Sequence, residues 1–274
     1  MKKTILVSLI FLFQKINSQE IIKDFPLSKK IEETSGLEII NNQFITHNDS
    51  GGEASIYYLS MKGEILNKRK ISSATNKDWE DITRDEKYIY IGDFGNNYNN
   101  RKDLKIYKVP IDLDSNENNE TISFNYPEQK SFTINKKTIY DCEGIISIEN
   151  SLVVFTKNRD KKITELYKIP KEPGDYNAKK IGIINTESIV TGADYNKKLK
   201  LLVLTSTKNF SKYYLTKVNN FSLDIRDDYQ MNTYEIPIGK TQVEAVKIID
   251  ERNFWITSED EKNSKFARLM KFKL

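Results

Sequence analysis

Asp78, Glu80 and Asp81 open the segment DWEDITRDEKYIYIGD, and Asp93 closes it one residue after the apolar run YIYI. Glu143 in DCEGI and Glu244 in QVEAV open two further apolar runs in the same way. Carboxylates in such a pattern suit a hard-cation site, an acid–base pair or a set of backbone locks. Brought together, like charges raise one another's pKa or require a cation. Calcium fits, because it takes about six to eight oxygen ligands in adaptable geometry. A chain with one histidine and one cysteine serves zinc or copper poorly. Glu80, Asp93, Glu143 and Glu244 are therefore the expected ligands of a Ca2+ ion.

His47, in THNDSGG, is the candidate general base. Such a base needs a nucleophile or a water within hydrogen-bond reach. Asp49 and Ser50 lie beside it, yet the same residues also make an ordinary polar turn closed by glycines. Arg101 in YNNRKD, and Lys157 and Arg159 in TKNRDKK, are cations in loops. With Asn48 and Asp49 they form the expected ligand-binding set. An anionic small molecule, such as a phosphate ester, can bridge calcium and these cations. No G-x-S-x-G elbow, H-E-x-x-H helix or Walker loop is present. A metal-free reading competes: the glutamates hold backbone amides of a neighbouring unit, or pair with Lys157 or Arg159.

The elements that must position these side chains are repeats. Segments starting at Ser35, Glu80, Glu143, Gly192 and Glu244 align without a gap, each an apolar stretch, a polar turn and a second strand. That is a β-hairpin five times over. A third strand follows each (SIYYL, KIYKVP, ELYKIP, YLTKV, RLMKF), and fourth-strand candidates follow four of them (EILNKRKI, TISFNYP, KKIGII, NTYEIPI). The last unit lacks its fourth strand, while IIKDFPLS at 21–28 is a strand without a unit. Blades of roughly 40–50 residues that cannot bury their own faces make a β-propeller. The expectation is five four-stranded blades, with the N-terminal strand completing the last; six blades is the alternative. The long interval carrying DLDSNENNE (112–120) reads as a solvated excursion. In a propeller the start of each first strand and the end of each second strand share one channel mouth. Glu80, Asp93, Glu143 and Glu244 should meet there with Asn48, Thr156, Thr205 and Thr257. Asp81, Asp85 and Glu86 fall outside both columns and read as solvated.

Composition sets the remaining bounds. The 274 residues are 38% hydrophobic and 30% charged, enough for a full core. A basic start, the apolar run TILVSLIFLF and Asn17-Ser18 read as a signal peptide over 1–18, leaving a single domain over 19–274 in an exported, periplasmic or extracellular protein. Losing Lys2, Lys3 and Lys15 with it brings the formal charge of +4 close to neutral. Scattered lysines on such a chain speak against nucleic-acid binding, and no run is long and apolar enough for a membrane span. Cys142 has no cysteine partner and reads as core filler; a monomer is expected. Tyr57, Tyr107, Tyr167, Trp79 and Trp255 read as inter-blade packing.

ETSGLE (33–38), DWEDI (78–82), DCEGI (141–145) and QVEAV (242–246) resemble exported bacterial propellers of the SdiA-regulated and phytase-like (esterase-like) families. The resemblance implies a propeller with bound calcium and, by family name, hydrolysis of esters or phosphoesters. Blade four, with TGADY, departs from the pattern and leaves the acidic ring incomplete. Two functions follow: an exported module that binds a small anionic molecule or a surface ligand beside calcium, or a calcium-dependent hydrolase of phosphate esters or lactones.

Overall fold

The computed structural model describes residues 19–112, 117–225, 229–239, 241–259 and 266–274. The signal peptide read over 1–18 and part of the excursion at 112–120 lie outside them. Every long element is a strand. The chain opens on β1 (Glu20–Pro26) and builds blade one from β2 (Thr34–Ile40), β3 (Gln43–Asn48), β4 (Ser55–Leu59) and β5 (Ile65–Lys70). Blade two is β6 (Trp79–Arg84), β7 (Tyr88–Asp93), β8 (Lys105–Pro110) and β9 (Glu120–Asn125). Blade three begins with β10 (Cys142–Ile148), β11 (Ser151–Thr156) and β12 (Thr164–Pro170). Next, β13 (Gly174–Asn177) crosses to pair in parallel with β9, and β14 (Lys179–Ile184) completes blade three. Blade four is β15 (Ile189–Asn196), β16 (Leu201–Lys208), β17 (Lys212–Val218) and β18 (Met231–Ile236). Blade five is β19 (Val243–Ile248), β20 (Asn253–Ser258) and β21 (Arg268–Lys273), closed by β1, which pairs antiparallel with β21. The first strands touch in a ring, β2 to β6 to β10 to β15 to β19 and back to β2. This is the expected five-bladed β-propeller with its N-terminal strand in the last blade.

The middles of the second strands are apolar because both of their faces are buried. Along β11, Leu152 and Val154 face the core shared with blade two, while Val153 and Phe155 face the core shared with blade four. The same alternation yields an apolar layer between every pair of neighbours, including blades five and one. Tyr57, Tyr107, Tyr167, Trp79, Trp255 and Cys142 are buried in these layers, as their sequence context implied.

Each inner hairpin carries a register break near the start of its first strand. The break falls at Glu80, Glu143, Thr191 and Glu244, and between Ser35 and Glu38 in blade one. A bulge puts an extra residue against the partner strand and re-aims its side chain. The hairpins differ in length, so an ungapped alignment slips. Blade four presents Thr191 rather than Gly192 at the bulge. Ser206 and Ser258, rather than Thr205 and Thr257, sit opposite the residue that precedes it, as Asp93 does in blade two.

Candidate functional site

Glu80 and Glu143 leave their strands at bulges and point into one end of the channel, where acids from the preceding loops join them. Asp78, two residues before Glu80, and Asp141, two before Glu143, lie just ahead of those strands and bring their carboxylates beside those of the glutamates. Asp49 arrives from the loop after β3. Oxygens of Asp49, Asp78 and Glu80 lie within 4.8 Å of one another, and so do those of Glu80, Asp141 and Glu143. Glu80 belongs to both groups. Glu244 comes from blade five, 5% exposed, and its Oε1 has no hydrogen-bond partner.

A glycine makes the crowding possible. Any Cβ at Gly95 would collide with the Glu80 and Asp78 carboxylates. Its N–H donates to the Asp78 carbonyl at 3.2 Å, so β7 leads the backbone directly beneath the acids.

Cations enter on one side only. Lys157, next after β11, is 7% exposed and holds Nζ 2.6 Å from Glu143 Oε1. Arg159 Nη1 lies 2.8 Å from Asp141 Oδ2, and Arg159 also donates to Asn97 Oδ1. Arg101 takes up Asp93 at 2.8 Å and donates to the carbonyls of Gly95 and Asp93. Asp93 Oδ1 also accepts the Asp78 N–H at 3.1 Å, while Oδ2 has no partner. The sequence alternative that pairs a glutamate with Lys157 therefore holds for Glu143, and Arg159 pairs with Asp141 instead.

Electrostatics follow from this packing. Burial, then the charges of Glu143, Asp49 and Asp78, hold the Glu80 carboxyl well above the ordinary carboxylate range. Burial pushes Asp49 up to about 7, helped by Asp78, and Asp78 up to about 6, helped by Asp141. Burial pushes Glu143 up to about 8 against the pull of Lys157. Burial would lower Lys157, but Glu143, Asp141, Glu244 and Glu80 outweigh it and raise its pKa. Such a pocket holds carboxylates at energetic cost and gains by taking up protons or a cation.

The other expected residues are placed as follows. His47 is buried with its ring edge-on to Trp79 at 5.5 Å, and Nδ1 lies 3.0 Å from the Asn48 carbonyl. Burial lowers its pKa to about 4, so the ring is neutral. Asn48 donates to the Lys30 carbonyl at 2.9 Å. Its own carbonyl accepts from Asn76, which also holds the carbonyl of Asp49. Asp81 is a correction: it is 2% exposed, not solvated. It accepts N–H groups of Ile82, Ile145 and Ala193 at 2.8, 3.0 and 3.4 Å, joining blades two, three and four through one carboxylate. Asp85 is likewise half-buried, bonded to Tyr90 and Lys171.

Asp78 and Asp141 are the residues that column reasoning left out of the ligand set. Their signal was in the sequence: Asp-x-Glu stands at both 78–80 and 141–143, so each of these two strand-opening glutamates has an aspartate two residues ahead of it.

No protein-family model matches the chain, and no curated protein does. Solved structures do. A PQQ-bound aldose sugar dehydrogenase from Streptomyces coelicolor is 12% identical, with TM-score 0.51 over 94% of this chain and 98% of that one. An exo-β-1,3-galactanase variant from Phanerochaete chrysosporium, bound to β-1,3-galactotriose, is 8% identical, with TM-score 0.55 over 94% of this chain and 64% of that one. At such identities the likeness is one of fold alone. Fold and comparisons define the class: a five-bladed β-propeller whose channel gathers carboxylates at the bulged end.

Proposed function

We propose that the protein is an exported propeller that holds a calcium ion on Asp49, Asp78 and Glu80 and uses it to bind a small anionic molecule. One observation carries this reading: these three carboxylates converge without an ion pair among the described residues, and two of them, Asp78 and Glu80, crowd the position that a Cβ at Gly95 would take. The donor set is all oxygen and hard, as calcium requires. Bound there, calcium would supply positive charge for an oxyanion. Asp49 and Asp78 are half-buried, so a ligand can reach them from solvent, whereas Glu80 is buried and fixes the floor. Asp93, Glu143 and Glu244 act in this reading as surrounding negative charge, with Asp93 held by Arg101 and Glu143 by Lys157.

Isothermal titration of calcium into the chelator-treated protein tests the proposal. Wild type should bind and Asp78→Asn should lose at least about tenfold in affinity, or roughly 1.4 kcal/mol. Equal affinity in both would reject the ligand set.

Hydrolysis of phosphate esters or lactones is the second reading, supported by the resemblance to phytase-like chains. Acids with raised pKa beside a lysine and two arginines are a suitable setting for proton transfer to a leaving group. A screen of phosphomonoesters and lactones with calcium separates the two: turnover abolished by Glu143→Gln with the fold intact favours hydrolysis.

A further inference from the structure

The two carboxylate triads share Glu80 but differ in every other respect. Glu80, Asp141 and Glu143 are all buried, and both of the outer members already face cations: Lys157 Nζ at 2.6 Å and Arg159 Nη1 at 2.8 Å. The Asp49–Asp78–Glu80 triad is partly open and has no ion pair among the described residues, and Asp49 Oδ1 lacks a hydrogen-bond partner. A further carboxylate is within electrostatic reach of both triads. Glu244 is 5% exposed, its Oε1 is unpartnered, and Lys157, Glu143 and Asp49 are among the charges it feels.

Lys157 is held, not loosely placed. Its N–H donates to the Asp141 carbonyl at 2.7 Å, which fixes where its side chain starts, and the stem is 8% exposed. A calcium ion bonded to Glu143 at about 2.3–2.6 Å would share that carboxylate with Lys157, whose Nζ already lies 2.6 Å from Oε1. It would also sit against a buried ammonium with little water to screen the repulsion.

We propose that Lys157 is a built-in second cation: its ammonium fills the Glu80–Asp141–Glu143 half of the mouth, so that the site takes one divalent ion, on the Asp49–Asp78–Glu80 half. This rests on the calcium reading above. Glu80 then lies between a removable cation and a covalently attached one. The consequence is a stoichiometry that the sequence sets through one residue.

Equilibrium dialysis of the full chain against calcium, with bound metal counted by atomic emission, tests it. Wild type and Lys157→Arg should each retain one equivalent, and Lys157→Met, which keeps the stem and loses the charge, should retain two. Two equivalents in wild type overturn the proposal, and so does one equivalent or none in a folded Lys157→Met beside one in wild type. Should Lys157→Met fail to fold, Lys157→Gln takes its place and the wild-type count still decides. No calcium on wild type or on either variant overturns the calcium reading itself, a result distinct from one equivalent throughout.

Discussion

The two ends of the channel treat buried charge in opposite ways. At the end away from the bulges, Lys247 lies 2.8 Å from both Glu38 and Asp194, and Arg84 lies 3.5 Å from Glu38. Asp194 also accepts the Ile248 N–H at 2.7 Å. These groups floor a cavity of about 860 Å³ whose walls include Tyr88, Lys108, Lys171 and Tyr195. Acids and bases there are matched side chain to side chain. At the bulged end, carboxylates from blades one, two, three and five outnumber the cations that reach them, and oxygens of Asp49, Asp93 and Glu244 are left without partners. One chain thus builds a self-neutralised plug at one end and a charge deficit at the other. The difference separates buried acids that the fold satisfies, with counter-ions at Glu38 and Asp194 and with amides at Asp81, from buried acids that it leaves in excess.

Several substitutions break or sharpen this contrast. The largest effect is expected from Lys247→Met, which leaves Glu38 and Asp194 buried together and should cost about 3–5 kcal/mol in urea denaturation, with calcium affinity unchanged. Asp81→Ala, between the two ends, strips the acceptor from the Ile145 and Ala193 amides and should cost about 1–3 kcal/mol for each amide left unpaired. The effect at the bulged end depends on pH. Asp49, Asp78 and Glu143 have folded pKa values of about 7, 6 and 8, above those of the unfolded chain, so folding takes up protons. In the calcium-free protein these three groups then contribute stability that is fully present below the unfolded pKa of about 4 and is lost as pH rises through about 6–8. Urea midpoints in chelator at pH 5 and pH 8 check this, and saturating calcium should flatten the slope. At the far end Arg84→Ala removes a solvent-exposed arginine while Lys247 still holds Glu38, and should cost no more than about 1 kcal/mol.

The ring was legible in the sequence because a blade needs a repeated pattern of strands, and pattern survives when individual residues vary. Glu80, Glu143 and Glu244 were legible because each opens a first strand at the same place in its unit. The bulges were not, since one extra residue in a strand looks the same as a longer turn, and they shift which residue faces the mouth in blade four. Asp81 was misread for a related reason. Only the channel, which no single blade reveals, brings the Ile145 and Ala193 amides to its carboxylate. The balance of charge between the two ends was also hidden, because Lys157 and Lys247 look alike among scattered lysines until their partners are known.

Thermal melting in calcium and in chelator tests the central claim most directly. An ion bound only to the folded state at 100 times its dissociation constant stabilises it by about 2.7 kcal/mol. Wild type should therefore melt several degrees higher in calcium, and Glu80→Gln should melt at one temperature in both. An unchanged melting temperature for wild type would contradict the account.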